Sequence, residues 1–101
     1  MVTFERFKEI VKEITDNPPG CESEIRLQFS NRTAEYMIIV YGDECTFQRC
    51  GYKDGSGEVW YRSLDELYES ETVDGILLKR DWNKITDIWN DSYVEFEETL
   101  I

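Results

Sequence analysis

The 101-residue chain contains no histidine, and its 11 lysines and arginines are half as numerous as its 22 aspartates and glutamates. The lack of histidine removes the side chain that most often serves as a general acid or base and as a metal ligand. The net charge of −11 opposes binding to nucleic acid phosphates and to anionic lipid. The composition therefore disfavours most enzymes, nucleic-acid-binding proteins and membrane-surface proteins.

Long apolar runs and paired cysteines are also missing. The longest apolar run, residues 36–41, has six residues, whereas a membrane-spanning helix needs about 20. The first 14 residues mix charged with apolar side chains, unlike an export signal. Three cysteines, Cys21, Cys45 and Cys50, make a poor disulfide framework because their number is odd. We expect a cytoplasmic protein with free thiols and no metal or other cofactor.

One glycine-containing segment resembles the middle of an EF-hand calcium loop. Alignment of Gly57 with the invariant glycine places Asp54 and Ser56 at ligand positions. The first and twelfth positions then fall on Tyr52 and Ser63, which cannot supply the required carboxylates. A tight turn between two strands explains the same residues, and we predict no metal site.

Two kinds of apolar spacing follow one another along the chain. Thr3 can cap a first helix. Helical spacing then places the apolar side chains Phe4, Phe7, Ile10, Val11 and Ile14 on one face of this helix. Pro18 and Pro19 end this helix. The period then becomes alternating, and short turns separate four predicted antiparallel strands, at about 24–30, 35–41, 45–52 and 58–62. The second strand is apolar on both faces and is expected to be central.

Two further helices are predicted after the strands. Ser63 and Glu66 form a capping box for a short helix that ends near Ser70. A second helix is predicted from about Ile76 to Asn90, with the apolar stripe Leu78, Trp82, Ile85, Ile88 and Trp89. Residues 92–101 could form an edge strand or wrap the surface. The prediction is one α+β domain, residues 1–101: an N-terminal helix, a four-stranded antiparallel meander, and two C-terminal helices packed on the sheet.

The negative charge is concentrated in the C-terminal part. Residues 1–62 carry a net charge of −3, and residues 63–101 carry −8. The predicted protein-binding residues are the acids of this part with one aromatic side chain: Asp65, Glu66, Glu69, Glu71, Asp81, Asp87, Asp91, Glu95, Glu97 and Trp60. One interpretation is that ordered carboxylates present a phosphate-like pattern to a basic partner, so that the protein is an inhibitor. The other is that acidity serves only solubility.

The sheet face opposite the helices is a second candidate surface. We expect it to show Arg26, Gln28, Thr46 and Gln48, with either Trp60 or Tyr61. An exposed aromatic side chain there could anchor a partner, or a second copy in a homodimer. The alternative is that the C-terminal segment covers this face.

The segment Tyr61-Arg62-Ser63-Leu64-Asp65-Glu66-Leu67, followed by Val73-Asp74-Gly75 and then by Leu78 and Trp82, resembles small uncharacterised proteins of Gram-positive bacteria and their mobile elements. The resemblance covers about residues 58–90 and implies no catalytic residue. In size, acidity and element order the chain also resembles some anti-CRISPR and other nucleic-acid-mimicking inhibitors, which is an analogy at the level of the fold. The favoured function is a non-catalytic protein-binding module. A housekeeping or host-interaction domain and a small enzyme are the alternatives.

Overall fold

The computed structural model describes residues 2–15, 22–51 and 57–90. The main elements in chain order are α1 (Phe4–Thr15), β1 (Ser23–Phe29), β2 (Glu35–Tyr41), β3 (Glu44–Arg49), β4 (Val59–Tyr61), α2 (Leu64–Glu69), α3 (Leu78–Asp81) and β5 (Ile85–Trp89). Two short 3₁₀ turns, Val73–Gly75 and Trp82–Lys84, flank α3. The α+β class and the N-terminal helix are confirmed. No helix in the described ranges is long and apolar enough to cross a membrane.

The strands form one antiparallel sheet in the order β4-β3-β2-β1-β5. The predicted meander corresponds to β1 to β4, and β2 is central as expected. The strands β3 and β4 are shorter than predicted, and residues 52–56 between them lie outside the described residues. The sheet differs from the prediction mainly by its fifth strand, which pairs with the other edge of β1.

The predicted helix from Ile76 to Asn90 is wrong. Only four residues are α-helical there, and Ile85 to Trp89 form β5. A bulge explains the error: Phe29 pairs with Ile85 and Gln28 with Asp87, so β5 has one extra residue at this point. The bulge brings Ile85 and Ile88 to the same buried face at a spacing of three, which imitates a helical stripe.

The helices pack on one face of the sheet, and the core lies between the two layers. The helix α1 buries Phe4, Phe7, Ile10 and Val11 toward this core, as the helical spacing predicts. Trp82 closes the layer, because its indole Nε1–H donates to the carbonyl oxygen of Val2 at 2.9 Å. This hydrogen bond therefore connects two parts of the helix layer that are 80 positions apart in the chain.

The helix α2 begins at the predicted cap. Ser63 Oγ accepts a hydrogen bond from the backbone N–H of Glu66 at 3.1 Å. The Glu66 carboxylate in turn accepts from the backbone N–H of Arg62 at 3.0 Å. A serine cap of this kind stabilises a helix by about 1 kcal/mol. The cap fixes the first turn of α2, where Asp65 and Glu66 are exposed to solvent and Asp65 lies beside α1.

Candidate protein-binding surface

Acids on α2 that were predicted to bind a partner already have partners within the chain. Asp65 Oδ1 lies 2.9 Å from Lys8 Nζ, and this contact is the largest cause of the raised pKa of Lys8. Glu69 Oε1 lies 3.5 Å from Lys79 Nζ. Asp65 and Glu69 are thus paired with lysines, so they contribute less unbalanced charge than the sequence alone indicates.

Asp81 does not lie on the surface, which corrects its assignment to an exposed acidic set. Only 3% of the residue is exposed. Its oxygens accept two hydrogen bonds from Arg80, at 2.9 and 2.8 Å, and one from the backbone N–H of Leu77 at 3.1 Å. Lys84 Nζ lies 3.4 Å away. These contacts, led by that with Arg80, hold the pKa of Asp81 far below its usual range. Asp81, the last residue of α3, therefore has a structural role: it binds the backbone N–H of Leu77, which precedes the helix.

The two remaining predicted acids in the described residues lie in different parts of the fold. Glu71 is exposed and follows α2 in an isolated bridge to Leu77. Asp87 lies on β5, opposite Gln28, on the sheet face away from the helices. The other three predicted residues, Asp91, Glu95 and Glu97, lie outside the described part of the chain.

The outer sheet face, defined as the face away from the helices, carries several rows of side chains, one of them with Gln28 between Glu35 and Asp87. Directly opposite residues of antiparallel strands share a face, which gives one row of Trp60, Thr46, Ile39 and Glu24. The next row is Gln48, Met37, Arg26 and Trp89. The expectation that Arg26, Gln28, Thr46 and Gln48 share this face is confirmed. A tryptophan lies near each edge of the sheet.

Trp60, and not Tyr61, is the aromatic side chain on the outer face. Tyr61 points into the core and donates its phenolic hydrogen to Thr72 Oγ1 at 2.6 Å. Trp60 is 56% exposed and stacks on Tyr41, with ring centroids 5.1 Å apart and planes at 23°. The sequence alone could not decide between the two neighbours, because alternation fixes only that they face opposite ways.

Four glutamates lie near Tyr41 of this aromatic pair. Glu44 is directly opposite Tyr41 across β2 and β3. Burial is the main cause of the raised pKa of Tyr41, and the negative charges of Glu22, Glu58 and Glu24 add to it. We call the six residues Tyr41, Trp60, Glu22, Glu24, Glu44 and Glu58 the aromatic-acidic patch.

The patch carries negative charge that the described cations do not balance. No lysine or arginine in the described ranges forms an ion pair with Glu22, Glu24, Glu44 or Glu58. Sequence reasoning missed these acids because residues 1–62 have a small net charge. Their positions in the sequence could have identified them, because these acids lie at the ends of predicted strands or at outward-facing strand positions beside Trp60.

Thr46 lies beside the patch with an unsatisfied hydroxyl. It is the cross-strand neighbour of both Ile39 and Trp60, and none of its surface is exposed. Its Oγ1 has no hydrogen-bond partner among the described residues. A buried hydroxyl without a partner is unfavourable and is uncommon in folded proteins. The outer face therefore has a buried polar atom that the described residues leave unsatisfied.

The chemistry available elsewhere in the described chain is limited. Cys45 is buried, its Sγ lies 3.5 Å from the carbonyl oxygen of Ser63, and burial raises its thiol pKa to about 12. A cavity of about 360 Å³ between α1 and α2 is lined by Lys8 and Asp65, which pair with each other. The described residues include no cluster of three potential metal ligands.

Comparisons with protein-family models, with curated proteins and with solved structures find no match for this chain.

Proposed function

We propose that this protein is a non-catalytic protein-binding module whose outer sheet face receives a partner with a basic surface. The observation that supports this most directly is Trp60, a tryptophan more than half exposed on a sheet face opposite the helix layer. Exposed tryptophan is costly to hydrate and is enriched among the residues that dominate protein interfaces. Its stacking on Tyr41 holds the ring in one place, so less conformational freedom is lost on binding.

Charge determines the kind of partner that we propose. The net charge of −11 attracts basic surfaces over a long range, and the carboxylates of the patch, which form no ion pair with a described base, are next to the aromatic anchor. If the basic surface of the partner normally binds nucleic acid, this protein would act as an inhibitor by occupying it. The alternative is that the acidity serves only solubility.

A homodimer through the same patch is less favourable. In a two-fold dimer the same surface meets itself, so the acidic patch of one copy would face the acidic patch of the other. Like charges brought together in an interface cost free energy. Self-association is nevertheless an outcome that the experiment below detects.

Affinity capture from a lysate of the host cell at low salt tests the proposal, with three charge-reversal variants that change the net charge equally. The outer-face variant combines Glu24→Lys, Glu44→Lys and Glu58→Lys. The α2 variant combines Asp65→Lys, Glu66→Lys and Glu69→Lys, and the α1 control combines Glu5→Lys, Glu9→Lys and Glu13→Lys. Melting curves check that each variant folds.

The expected result is one partner that the wild type and the α1 control retain and the outer-face variant loses. Loss only in the α2 variant would move the interface to the helix layer and contradict the proposed surface. Equal losses in all three variants would mean that the acids act only through total charge, as the solubility interpretation predicts. Concentration-dependent growth in mass, measured by light scattering, would indicate a homodimer.

A further inference from the structure

We infer that the aromatic-acidic patch is a binding site for an arginine side chain of the partner. The inference rests on the proposed function and names the chemical group that this surface recognises. Three observations support it: the ring geometry, the charge around the rings, and two places where the chain places one of its own cations beside an aromatic residue and a carboxylate.

The ring geometry leaves one face of an indole for a ligand. Trp60 stacks on Tyr41 at nearly parallel planes, so Tyr41 supports one side of the indole. The 56% exposure of Trp60 shows that much of the remaining surface meets solvent. A cation above the face of a tryptophan within about 6 Å is attracted by the ring quadrupole, and tryptophan is the best aromatic ring for this interaction.

The charge around the rings selects a cation, and its geometry favours a guanidinium. The four carboxylates of the patch form no ion pair with a described base. A guanidinium is planar, so it can stack on the indole and at the same time donate N–H groups sideways to carboxylates. An ammonium group is compact and more strongly hydrated, and it makes these two kinds of contact less well.

The first internal parallel is Lys8. Its Nζ lies 5.3 Å from the ring centroid of Phe4, 2.9 Å from Asp65 Oδ1 and 3.3 Å from Glu5 Oε2. One ring and two carboxylates thus hold a cation within the helix layer. The patch on the outer face offers a larger ring and more carboxylates, without a described cation paired to them.

The second parallel is at the other edge of the sheet. Trp89 has Arg26 as its cross-strand neighbour, and Arg26 Nη1 lies 3.1 Å from Glu35 Oε1. At that edge the chain supplies tryptophan, carboxylate and arginine together. The cross-strand neighbour of Trp60 is Thr46, so no arginine is paired with this tryptophan across the described strands at this edge. A partner's arginine would complete the same set.

Three blocked peptides that differ at two positions test the assignment. Acetyl-Gly-X-Gly-X-Gly-amide, with X as arginine, lysine or the neutral isostere citrulline, is titrated at low salt into the ¹⁵N-labelled full chain. The indole N–H signals are followed by NMR after assignment with tryptophan-to-phenylalanine variants. Trp82 is the internal control, because its indole N–H is buried and bonded to Val2.

We expect the arginine peptide to shift the Trp60 signal in a saturable way, with at least threefold higher affinity than the lysine peptide, while citrulline produces no shift. Trp82 should not move. Trp60→Ala should weaken arginine binding at least fivefold, measured by backbone shifts at Glu44 and Tyr41. Because the side chain is largely exposed, this variant is expected to fold. The triple variant Glu24→Gln, Glu44→Gln and Glu58→Gln should weaken binding at least as much.

Each other outcome overturns the inference without removing the proposed function. Equal shifts with arginine and lysine would reject guanidinium selection. Arginine binding that leaves the Trp60 signal unchanged would reject the site. In both cases loss of the captured partner in the outer-face charge variant would still support the binding module. Conversely, a peptide site at Trp60 with no partner captured by the wild type would contradict the proposed function alone.

Discussion

Replacement of the buried Asp81 carboxylate by the neutral amide of Asn is expected to destabilise the fold markedly. The carboxylate accepts a backbone hydrogen bond from Leu77 at 3.1 Å and two from the guanidinium of Arg80. Asn has the same shape, but an NH₂ donor replaces one of the two acceptor oxygens. This donor would then face the N–H donors of Leu77 or Arg80. Hydrogen bonds to a charged group contribute about 1.5–3 kcal/mol, so the free energy of unfolding of Asp81→Asn should fall by about 2 kcal/mol.

Urea unfolding and thermal melting measure this loss. The entropy of unfolding is about 2.1 cal/mol/K per residue, so a loss of about 2 kcal/mol in this chain corresponds to a melting temperature lower by roughly 9 °C. Asp65→Asn is the matched control, because it removes the same charge from an exposed ion pair. The control should melt close to the wild type, since exposed pairs contribute little.

The pH dependence of the difference provides a second check with a definite sign. The folded pKa of Asp81 is lowered, so its contribution is fully present above the unfolded pKa of about 3.9. It is lost as the pH falls from there toward the folded pKa. The stability difference between wild type and Asp81→Asn should therefore be constant from pH 7 to 5 and shrink below about pH 4. A difference under about 0.5 kcal/mol at pH 7, or one that grows in acid, would refute the reasoning.

Four further results are expected. In a Cys21→Ser background, the half-buried Cys50 should react with a thiol reagent at pH 8 much faster than Cys45, whose raised pKa and burial protect it; equal native rates would contradict this. The melting temperature should rise between 0.1 and 1 M salt, because the screening length falls from about 10 to about 3 Å and relaxes repulsion among 22 acids; a decrease would mean that favourable pairs dominate. Tyr36→Phe should lower the free energy of unfolding by about 1 kcal/mol, because Tyr36 donates to Asp74 Oδ2 at 2.6 Å; urea unfolding with an unchanged midpoint would show that this bond contributes nothing. Calorimetric titration with Ca²⁺ and Zn²⁺ should show no site tighter than tens of micromolar, and a tight stoichiometric site would overturn that expectation.

Local patterns in the sequence were sufficient for the first two thirds of the fold. Helical spacing identified α1, alternation identified β1 and β2, and Ser63 with Glu66 identified the start of α2. Each signal depends on neighbours within a few residues. The strand β5 was missed because its spacing of apolar residues reflects a bulge against β1, which no local pattern reveals.

The candidate surface was harder to predict for a similar reason. Counting charges shows where acids are frequent in the chain, but pairing depends on contacts between distant residues. Lys8 reaches Asp65 across 57 positions, which balances an acid that looked unpaired. Glu24 and Glu44 come from a nearly balanced part of the sequence, and both lie near Tyr41 only because β1, β2 and β3 are adjacent.

The pairing of β5 with β1 has a consequence for synthesis. Thr86 on β5 and Gln28 on β1 are 58 positions apart, and their hydrogen bond forms only after both have been made. At about 5–20 residues per second, one edge of β1 waits roughly 3 to 12 s on the ribosome before its partner strand exists. Unpaired edges attract other strands, and alternating charged side chains discourage this. Glu24 and Arg26 lie on that strand, so the nascent chain carries its own protection against aggregation until β5 arrives.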